Sequence, residues 1–285
     1  MGLLSWQQAL TVCLVAIASS VVLRRRLRRV AAILLEISIL AGLFAAWQLA
    51  QLISRSGAAD AFARARWIER FQHTLRLPSE HWMQHLVLGH PDLVRAENLY
   101  YAMAHFNGMG IFLLWLFFRH RDRYPAVRTT MAVSTGVCLL VAFLPVAPPR
   151  LLPGYVDTAA RYGQSVYGAG LNVDELSAMP SVHVLWAVLI GWYVVRVSGS
   201  RWRFLALLYP VATVFVVVST ANHWWLDGIV AVLILVAAAW GQVGLRRMWS
   251  AWRAKANRPP TVVSLVDATP VPGPAVTKDG HGPVG

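Results

Sequence analysis

Long apolar runs separated by short polar stretches are the dominant pattern along the chain. Several of these runs reach the roughly 20 residues that a helix needs to cross the hydrocarbon core of a bilayer. We predict seven spans from them, at residues 3–23, 30–53, 99–118, 129–147, 180–197, 203–220 and 224–245. No positive charge precedes the first run, so we interpret it as a span and not as a cleavable signal peptide. The pattern therefore predicts an all-α, polytopic membrane protein.

The segments between and after the spans differ in composition. Residues 55–98 are rich in Arg, Trp, Phe and His, which indicates one or two amphipathic helices lying on the membrane. Residues 148–179 form a second long loop with many prolines and glycines, and the tail from Pro259 has the composition of a disordered segment. We therefore predict four parts, namely a transmembrane hairpin, an amphipathic loop, a main transmembrane bundle and a disordered tail, at residues 1–54, 55–97, 98–247 and 248–285.

The composition also indicates a membrane protein. Hydrophobic residues make up 57% of the 285-residue chain and charged residues 14%, with a mean hydropathy of +0.51. Charged residues are about a quarter of an average soluble domain, so a disordered chain is excluded and an ordinary soluble domain is disfavoured. Cys13 and Cys138 lie inside apolar runs, so neither a disulfide framework nor a thiolate metal site is indicated. The four histidines of residues 73–90 lack a ligand spacing with nearby carboxylates, so no metal site is expected.

The net charge of +13 is distributed unevenly between the two sides of the predicted spans. Of the 26 basic residues, 18 fall on one side, which carries +15, whereas the loops on the opposite side carry −1. Excess positive charge in loops marks the cytoplasmic face, so we predict a cytoplasmic C-terminus and extracytoplasmic positions for residues 55–98 and 148–179. A nucleic-acid partner is disfavoured, because no basic stretch is interleaved with aromatic residues that could stack on bases.

Three short polar segments lie at the predicted extracytoplasmic ends of spans. They are residues 147–150 (Ala-Pro-Pro-Arg), 178–183 (Ala-Met-Pro-Ser-Val-His) and 222–227 (Asn-His-Trp-Trp-Leu-Asp). The segments are far apart in sequence but are predicted to sit at one membrane depth. Polar groups at membrane depth are costly and usually mark function, so we expect the three segments to converge on one site.

The second segment has the features of an anion site. Pro180 suits the first turn of a helix, where its missing N–H costs nothing. The free N–H groups that follow, with the positive end of the helix dipole behind them, would bind a phosphate group. Ser181 can add a hydroxyl and His183 a proton, while Arg150 of the first segment offers a planar fork for phosphate oxygens.

The third segment pairs an imidazole with a carboxylate. His223 and Asp227 are four residues apart, so on a helix they share a face. A carboxylate bonded to one imidazole nitrogen fixes the tautomer and leaves the other nitrogen as a nucleophile. Taken singly, each segment also fits a structural role, as a polar pair, a helix start or an interfacial arginine. Their combination in this order favours a shared phosphate site.

These three motifs resemble those of the type 2 phosphatidic acid phosphatase superfamily, over roughly residues 98–245. The likeness is strongest to the inositol phosphorylceramide synthase-like branch, in which Ala-Met-Pro-Ser-x-His is characteristic. The resemblance implies a six-helix core, here the second to seventh spans, with the first span as an extra helix. It also implies metal-independent catalysis through a phosphohistidine, with no cofactor.

By motif position, the resemblance implies a role for each of five residues. His223 would be the nucleophile, Asp227 its orienting carboxylate and His183 the acid that protonates the leaving oxygen. Arg150 and Ser181 would hold the phosphate group.

Two cations of the phosphatase branch are absent from this sequence. The lysine seven residues before the first-motif arginine is Phe143 here, and the arginine six residues before the nucleophilic histidine is Val217. Val182 also replaces the glycine of Pro-Ser-Gly-His. A phosphodiester carries one negative charge whereas a phosphomonoester approaches two, so a site with fewer cations favours the diester. Arg161 or Arg95 could restore a missing charge, and we include Arg161 among the expected substrate-binding residues.

Further polar residues near the motifs have two open interpretations. Tyr101 and His105 are one turn apart near the outer end of the third span, where they face the site or serve only the fold. Asp157, Asp174 and Glu175 lie in the second outer loop, where they bind hydroxyls of a polyol acceptor or are simply solvated. Tyr101, His105 and Asp157 are the members of this group that we expect to bind substrate.

We interpret the chain as a multi-pass membrane enzyme with an extracytoplasmic site that acts on a lipid-linked phosphate. The favoured reaction is phosphotransfer from a lipid-linked phosphodiester to inositol or another polyol. Hydrolysis of a lipid phosphate or polyprenyl phosphate stays open as an alternative. A non-catalytic scaffold also stays open, whereas a transporter is disfavoured because the sequence has no paired broken spans or repeated halves.

Overall fold

The computed structural model describes residues 5–54, 58–164 and 175–256, together with Gly273. This part of the chain is helical and contains no β-strand, although Val146 and Ser177 form an isolated parallel bridge. The predicted disordered tail from Pro259 falls almost wholly outside the described residues. The helices are α1 (Trp6–Leu23), α2 (Arg28–Ser54), α3 (Ala58–Thr74), α4 (Glu80–Leu88), α5 (Pro91–Arg119), α6 (Tyr124–Val141), α7 (Thr158–Arg161), α8 (Val182–Val197), α9 (Leu208–Ser219) and α10 (Trp225–Ala256).

Each of the seven predicted spans corresponds to a helical segment. Among the described residues, six segments are long and apolar enough to cross a membrane, and α8 is a shorter apolar helix. The prediction of an all-α, polytopic membrane protein is therefore confirmed. The six segments are Trp6–Leu23, Arg28–Leu49, Pro91–Arg119, Tyr124–Val141, Arg201–Ser219 and Trp225–Ala254.

The helix boundaries differ most from the predicted ones in α5, α6 and α10. Helix α5 begins at Pro91, eight residues before the predicted start of the third span, because proline is well suited to the first turn. Helix α6 ends at Val141, and the chain then extends to the bridge at Val146 instead of remaining helical to residue 147. Helix α10 continues to Ala256, well past the predicted end of the last span.

The chain divides into two compact units, residues 1–243 and residues 244–285. The second unit contains the last turns of α10. There Trp249 and Trp252 stack with ring centroids 5.1 Å apart, and the Arg253 guanidinium lies 5.0 Å from the Trp249 ring centroid. The three polar segments at residues 147–150, 178–183 and 222–227 all belong to the first unit.

The first two helices form an antiparallel pair. Ser5 begins α1 with a capping box, in which its hydroxyl accepts from the Gln8 backbone N–H while the Gln8 side chain accepts from the Ser5 backbone. The Ser20 hydroxyl then donates to the Ala31 carbonyl across the pair at 2.8 Å. Most of the large apolar side chains of both helices stay exposed, as expected for surfaces that face lipid.

The core of the bundle lies between α5, α6, α8 and α10. Leu116 of α5, Met131 of α6 and Leu189 of α8 are almost fully buried in one cluster. In a bilayer, close packing between helices replaces the hydrophobic effect as the main source of association, so small residues matter at contacts. At Gly108 an added Cβ would lie 2.7 Å from the Tyr209 hydroxyl, which shows how closely α5 approaches α9.

A polar network joins α2 to α6. Arg128 of α6 forms an ion pair with Glu36 of α2, and their side chains are only 19% and 21% exposed. The Tyr124 hydroxyl donates to the other carboxylate oxygen of Glu36 at 3.0 Å. The network satisfies a carboxylate that the sequence places inside the second span, and it attaches the N-terminal helix pair to the bundle.

Replacing Arg128 with methionine should lower the free energy of unfolding by about 1–3 kcal/mol, because the Glu36 carboxylate then stays in the helix contact without its partner. Thermal unfolding of the purified protein in detergent measures the change. The matched control is Arg123→Met, since the Arg123–Asp122 pair is 69% and 73% exposed and such pairs contribute little. Equal midpoints for Arg128→Met and the control would contradict the prediction.

Helices α3 and α4 lie against the loops at one end of the bundle. Ala61, Ala65 and Ile68 of α3 are buried in a cluster with Val146 and Trp224. The sequence predicted one or two amphipathic helices in residues 55–98, and the structure has two. The buried faces of α3 and α4 contact protein, so the two helices stabilise the loops at this end of the bundle.

Candidate active site

The three polar segments meet at the end of the bundle that α3 and α4 cover. The backbone N–H of Arg150 in the first segment donates to the Ala221 carbonyl beside the third segment at 2.9 Å. The backbone N–H of Ser181 in the second segment donates to the Asp227 carbonyl at 3.2 Å. Main-chain hydrogen bonds therefore fix the three segments to one another, and the side chains of all three converge there.

The His223 ring is held through its Nδ1 atom. This atom lies 2.7 Å from the Ala178 carbonyl oxygen and 3.3 Å from Asp227 Oδ2. A carbonyl oxygen can only accept a hydrogen bond, so Nδ1 carries the proton and Nε2 carries the lone pair. His223 Nε2 is buried and has no hydrogen-bond partner among the described residues. The geometry leaves this nitrogen free to act as a nucleophile.

The charge state of His223 follows from its surroundings. Burial lowers the pKa of His223 to about 4, and the positive charge of Arg150 acts in the same direction. The hydrogen bond to the Ala178 carbonyl raises the pKa but does not outweigh burial. The imidazole is therefore neutral near physiological pH, which is the state that a nitrogen nucleophile requires.

Asp227 is fully buried in the first turn of α10. Its Oδ2 accepts from the Trp224 backbone N–H at 2.8 Å, so it caps its own helix while it faces the His223 ring. The sequence predicted that this carboxylate orients the imidazole. The structure adds the Ala178 carbonyl as a closer partner, which residue types cannot reveal because every residue has a backbone carbonyl.

His183 lies in the first turn of α8, where its ring centroid is 5.6 Å from that of His223. Ser181 is the N-cap of this helix, and its hydroxyl accepts from the Val184 backbone N–H at 3.3 Å. The expectation that Pro180 occupies the first helical turn is wrong, because α8 begins two residues later at Val182. The hydroxyl of Ser181 serves the cap and keeps its hydrogen for another acceptor.

An aromatic wall lines the other side of His183. The Tyr101 ring stacks on the His183 ring at a centroid distance of 4.3 Å, and His105 lies 4.2 Å from His183. Trp186 stacks in turn on His105 at 4.2 Å, and its indole N–H donates to Thr135 at 2.9 Å. Tyr101 and His105 thus face the site. The sequence interpretation missed Trp186, although its position one turn after His183 on a helix was a usable signal.

Arg150 lies in the 3₁₀ turn Pro149–Leu151, with a side chain that is 1% exposed. Its Nε atom lies 3.6 Å from Asp157 Oδ2. The other Asp157 oxygen accepts from the Ala160 backbone N–H at 2.9 Å and caps α7. Asp157 is therefore part of the site as the ion-pair partner of the arginine.

The other expected charges are not brought to the motifs. Arg161 and Arg95 are exposed, and their guanidinium groups lie 6.0 Å and 5.3 Å from the ring centroid of Tyr162. Arg95 also pairs with Asp92 at 3.2 Å. Glu175 is exposed, and Asp174 lies outside the described residues.

The sequence interpretation also missed residues of α3 and α4 that hold the motif loops. The Gln84 amide forms two hydrogen bonds with the Val156 backbone, at 2.8 Å and 2.9 Å, beside Asp157. Arg64 donates to the Pro145 carbonyl at 2.7 Å, shortly before the first motif. Gln84 is completely buried, and a polar residue on the buried face of an amphipathic helix was a signal that could have been found.

Comparisons with known proteins identify the family of the chain. A family model described as the PAP2 superfamily matches residues 66–241. Searches of the curated proteins and of the solved structures gave no match. Members of the matched family are phosphatases or phosphotransferases that act on phosphate esters. Because the match spans more than half of the 285 residues, the protein belongs to the PAP2 superfamily.

Proposed function

We propose that the protein transfers a phospho-headgroup from a lipid-linked phosphodiester to an alcohol, through a phosphohistidine on His223. The proposal rests on one observation: His223 Nε2 is buried, bears the lone pair and has no hydrogen-bond partner in the described part of the chain, while a second imidazole lies 5.6 Å away. This pair can supply both a nucleophile and a proton donor to one phosphorus atom.

The reaction has two steps. In the first, the Nε2 lone pair of His223 bonds to phosphorus, the bond to the lipid alkoxide breaks, and His183 gives its proton to the departing oxygen. In the second, His183 takes the proton of the acceptor hydroxyl, whose oxygen bonds to phosphorus as the P–N bond breaks. Arg150 stabilises the charge on the phosphate oxygens in both steps. The reaction needs neither a metal ion nor a cofactor.

The charge of the site supports a phosphodiester as the substrate. Phe143 and Val217 stand where related phosphatases have cations, and Asp157 partly neutralises Arg150. Among the described residues, Arg161 and Arg95 are directed to Tyr162 instead of to the motifs. A weakly cationic site matches the single charge of a diester better than the nearly double charge of a monoester.

Hydrolysis is the second candidate, and one observation favours it. A cavity between α5, α8 and α9 reaches His183 and is lined by Tyr101, His105 and Val217 as well. It has room for about one water molecule, about 10 Å³. With a lipid phosphomonoester as substrate and water in place of the alcohol, the enzyme would be a lipid phosphatase, whereas inositol or another polyol would have to enter from the side of the motif loops.

The distribution of charge supports an extracytoplasmic site. The motifs lie at the end of the bundle where α8 and α10 begin, and the basic clusters of residues 119–128 and 196–203 lie at the other end of the helices. Because positive loops stay in the cytoplasm, the site faces away from it and the C-terminus lies within it. Residues 98–247 form the catalytic part of the chain in this arrangement.

Product analysis distinguishes transfer from hydrolysis. Purified protein in detergent is incubated with a phospholipid labelled in its phosphate, with and without inositol. We expect the label to appear in a phosphodiester of the added alcohol, because the phosphohistidine is resolved by a hydroxyl that His183 deprotonates. Reactions with His223→Ala protein provide the background. Release of the label only as the phosphorylated headgroup, or as inorganic phosphate from a labelled lipid phosphomonoester, with or without inositol, would exclude the transferase and establish hydrolysis.

A further inference from the structure

Besides Gln84, two polar residues interrupt the buried stripes of α3 and α4. On α3 the buried positions Ala61, Ala65 and Ile68 continue at helical spacing to Gln72, which is 3% exposed. On α4 the buried stripe begins with Glu80, which is also 3% exposed. Burying an amide and a carboxyl is costly unless both are hydrogen-bonded, so their partners define their role.

The partners of both residues are at the start of α10. Gln72 Oε1 accepts from the Leu226 backbone N–H at 2.7 Å, and Glu80 Oε1 accepts from the Trp225 backbone N–H at 3.2 Å. Gln72 Nε2 donates to the same Glu80 oxygen at 2.7 Å, which joins the two side chains. The Trp225 indole N–H also donates to the Pro78 carbonyl between the two helices at 2.7 Å.

These contacts complete the N-terminus of α10. A helix begins with four backbone N–H groups that have no partner within the helix. Here the Trp224 N–H donates to Asp227 Oδ2, and the Asp227 N–H donates to the Trp224 carbonyl. The Trp225 N–H donates to Glu80, and the Leu226 N–H donates to Gln72. Three of the four partners are side chains, and two of these come from outside the motif region.

We infer that Gln72 and Glu80 are positioning residues for the catalytic pair His223–Asp227, which they hold in place by capping the helix that carries Asp227. The inference rests on the function proposed above for His223. Asp227 is the third residue of α10 and His223 lies just before it, so a shift of the first turn moves the carboxylate, the Trp224 amide and the imidazole together. Gln72 and Glu80 thereby connect α3 and α4 to the start of α10.

The chemistry of each side chain suits this role. The Gln72 side chain must accept from the Leu226 N–H and also donate to Glu80. An amide of this length has both an acceptor oxygen and a donor nitrogen at its end, so it can make both bonds. Glu80 only needs to accept, so a glutamine there can replace it. Burial raises the pKa of the Glu80 carboxyl, the nearby Asp227 adds to this, and the bonds from Trp225 and Gln72 oppose it.

Kinetics of four variants test the inference. We expect Gln72→Ala and Glu80→Ala to reduce kcat by about 10- to 100-fold with little change in KM, because they displace the reacting groups without touching the substrate. Glu80→Gln should restore most of kcat. Gln72→Glu should not, since it places two carboxyl groups side by side without the linking donor. Glu80→Gln activity as low as that of Glu80→Ala would overturn the inference.

The matched control is Ile68→Ala, which removes a 2%-exposed side chain from the same stripe of α3 and should lower stability while leaving kcat near that of the wild type. Equal losses of kcat in Ile68→Ala and Gln72→Ala would reduce Gln72 to a structural residue and overturn the inference.

Hydrogen exchange separates this inference from the proposed reaction. The backbone amides of Trp225 and Leu226 should be protected in the wild type and exchange at least about tenfold faster in Gln72→Ala and Glu80→Ala. This measurement needs no turnover, so it stands even if the enzyme proves inactive on every lipid tested. Unchanged exchange at these two amides in both variants would overturn the inference, whereas absence of wild-type turnover would count only against the proposed function.

Discussion

Replacing His223 with alanine should abolish turnover, with a loss of kcat on the order of 10³-fold or more, because the variant lacks the nitrogen that bonds to phosphorus. The protein should stay folded. His223 contributes one side-chain hydrogen bond to the Ala178 carbonyl and one to Asp227, whereas the main-chain bonds between the motif segments do not depend on its ring. Turnover of a labelled phospholipid measures the first expectation and thermal unfolding in detergent the second.

The covalent intermediate gives a second readout of the same variant. Wild-type protein mixed briefly with a substrate labelled at phosphorus should retain label in a linkage that acid breaks and base does not, as expected for a phosphoramidate. His223→Ala should retain none. His85→Ala is the matched control, because His85 is an exposed histidine of α4 and should behave as the wild type. Turnover of His223→Ala at the wild-type rate would contradict the assignment of this imidazole as the nucleophile.

The fold was predictable because it depends mainly on the position and length of the apolar runs along the chain. A bilayer requires about 20 apolar residues per helical span, so the apolar runs located the helices directly. The boundaries were less accessible, as in α6, because the sequence there stays apolar to Val146 while the chain leaves the helix after Val141. Apolar character specifies depth in the membrane, and it does not distinguish a helix from an extended segment at the same depth.

The convergence of the motifs was also predictable, because polar segments at the same ends of spans lie at one depth. The bond between His223 and the Ala178 carbonyl could not be predicted, because this carbonyl reaches Nδ1 only where the second and third motifs contact each other. The helix start of α8 was misjudged for a related reason. Proline suits both the first helical turn and the residue before an N-cap, and Ser181 takes the cap.

The contacts made by α3 and α4 could be identified only from the structure. Their amphipathic composition indicated a surface position, and nothing in the local pattern states whether the apolar face contacts lipid or protein. Gln72 and Glu80 break the apolar stripe at helical spacing, which indicates a buried polar contact. The identity of that contact depends on α10, which is about 150 residues away in sequence.

Replacing His183 with alanine should separate the two chemical steps. With a natural lipid substrate the leaving alkoxide needs a proton, so kcat should fall by about 10²- to 10⁴-fold. With a nitrophenyl phosphodiester the leaving group departs without protonation, so formation of the phosphoenzyme should be nearly as fast as in the wild type. The second step still lacks its base. The variant should therefore release one equivalent of nitrophenol in a burst and accumulate labelled phosphohistidine.

This outcome depends on the two imidazoles having different tasks despite their proximity. The Nδ1 of His223 bonds to Ala178 and Asp227, whereas His183 is half-buried and packs against the rings of Tyr101 and His105. His223→Ala should accordingly give no burst with either substrate, because protonation of a leaving group is of no use without a nucleophile. Equal losses for the lipid and the nitrophenyl ester in His183→Ala would mean that His183 binds the phosphate group and does not transfer the proton. The dependence of the rate loss on the leaving group therefore distinguishes the two roles of His183, proton transfer and phosphate binding, which the same geometry would allow.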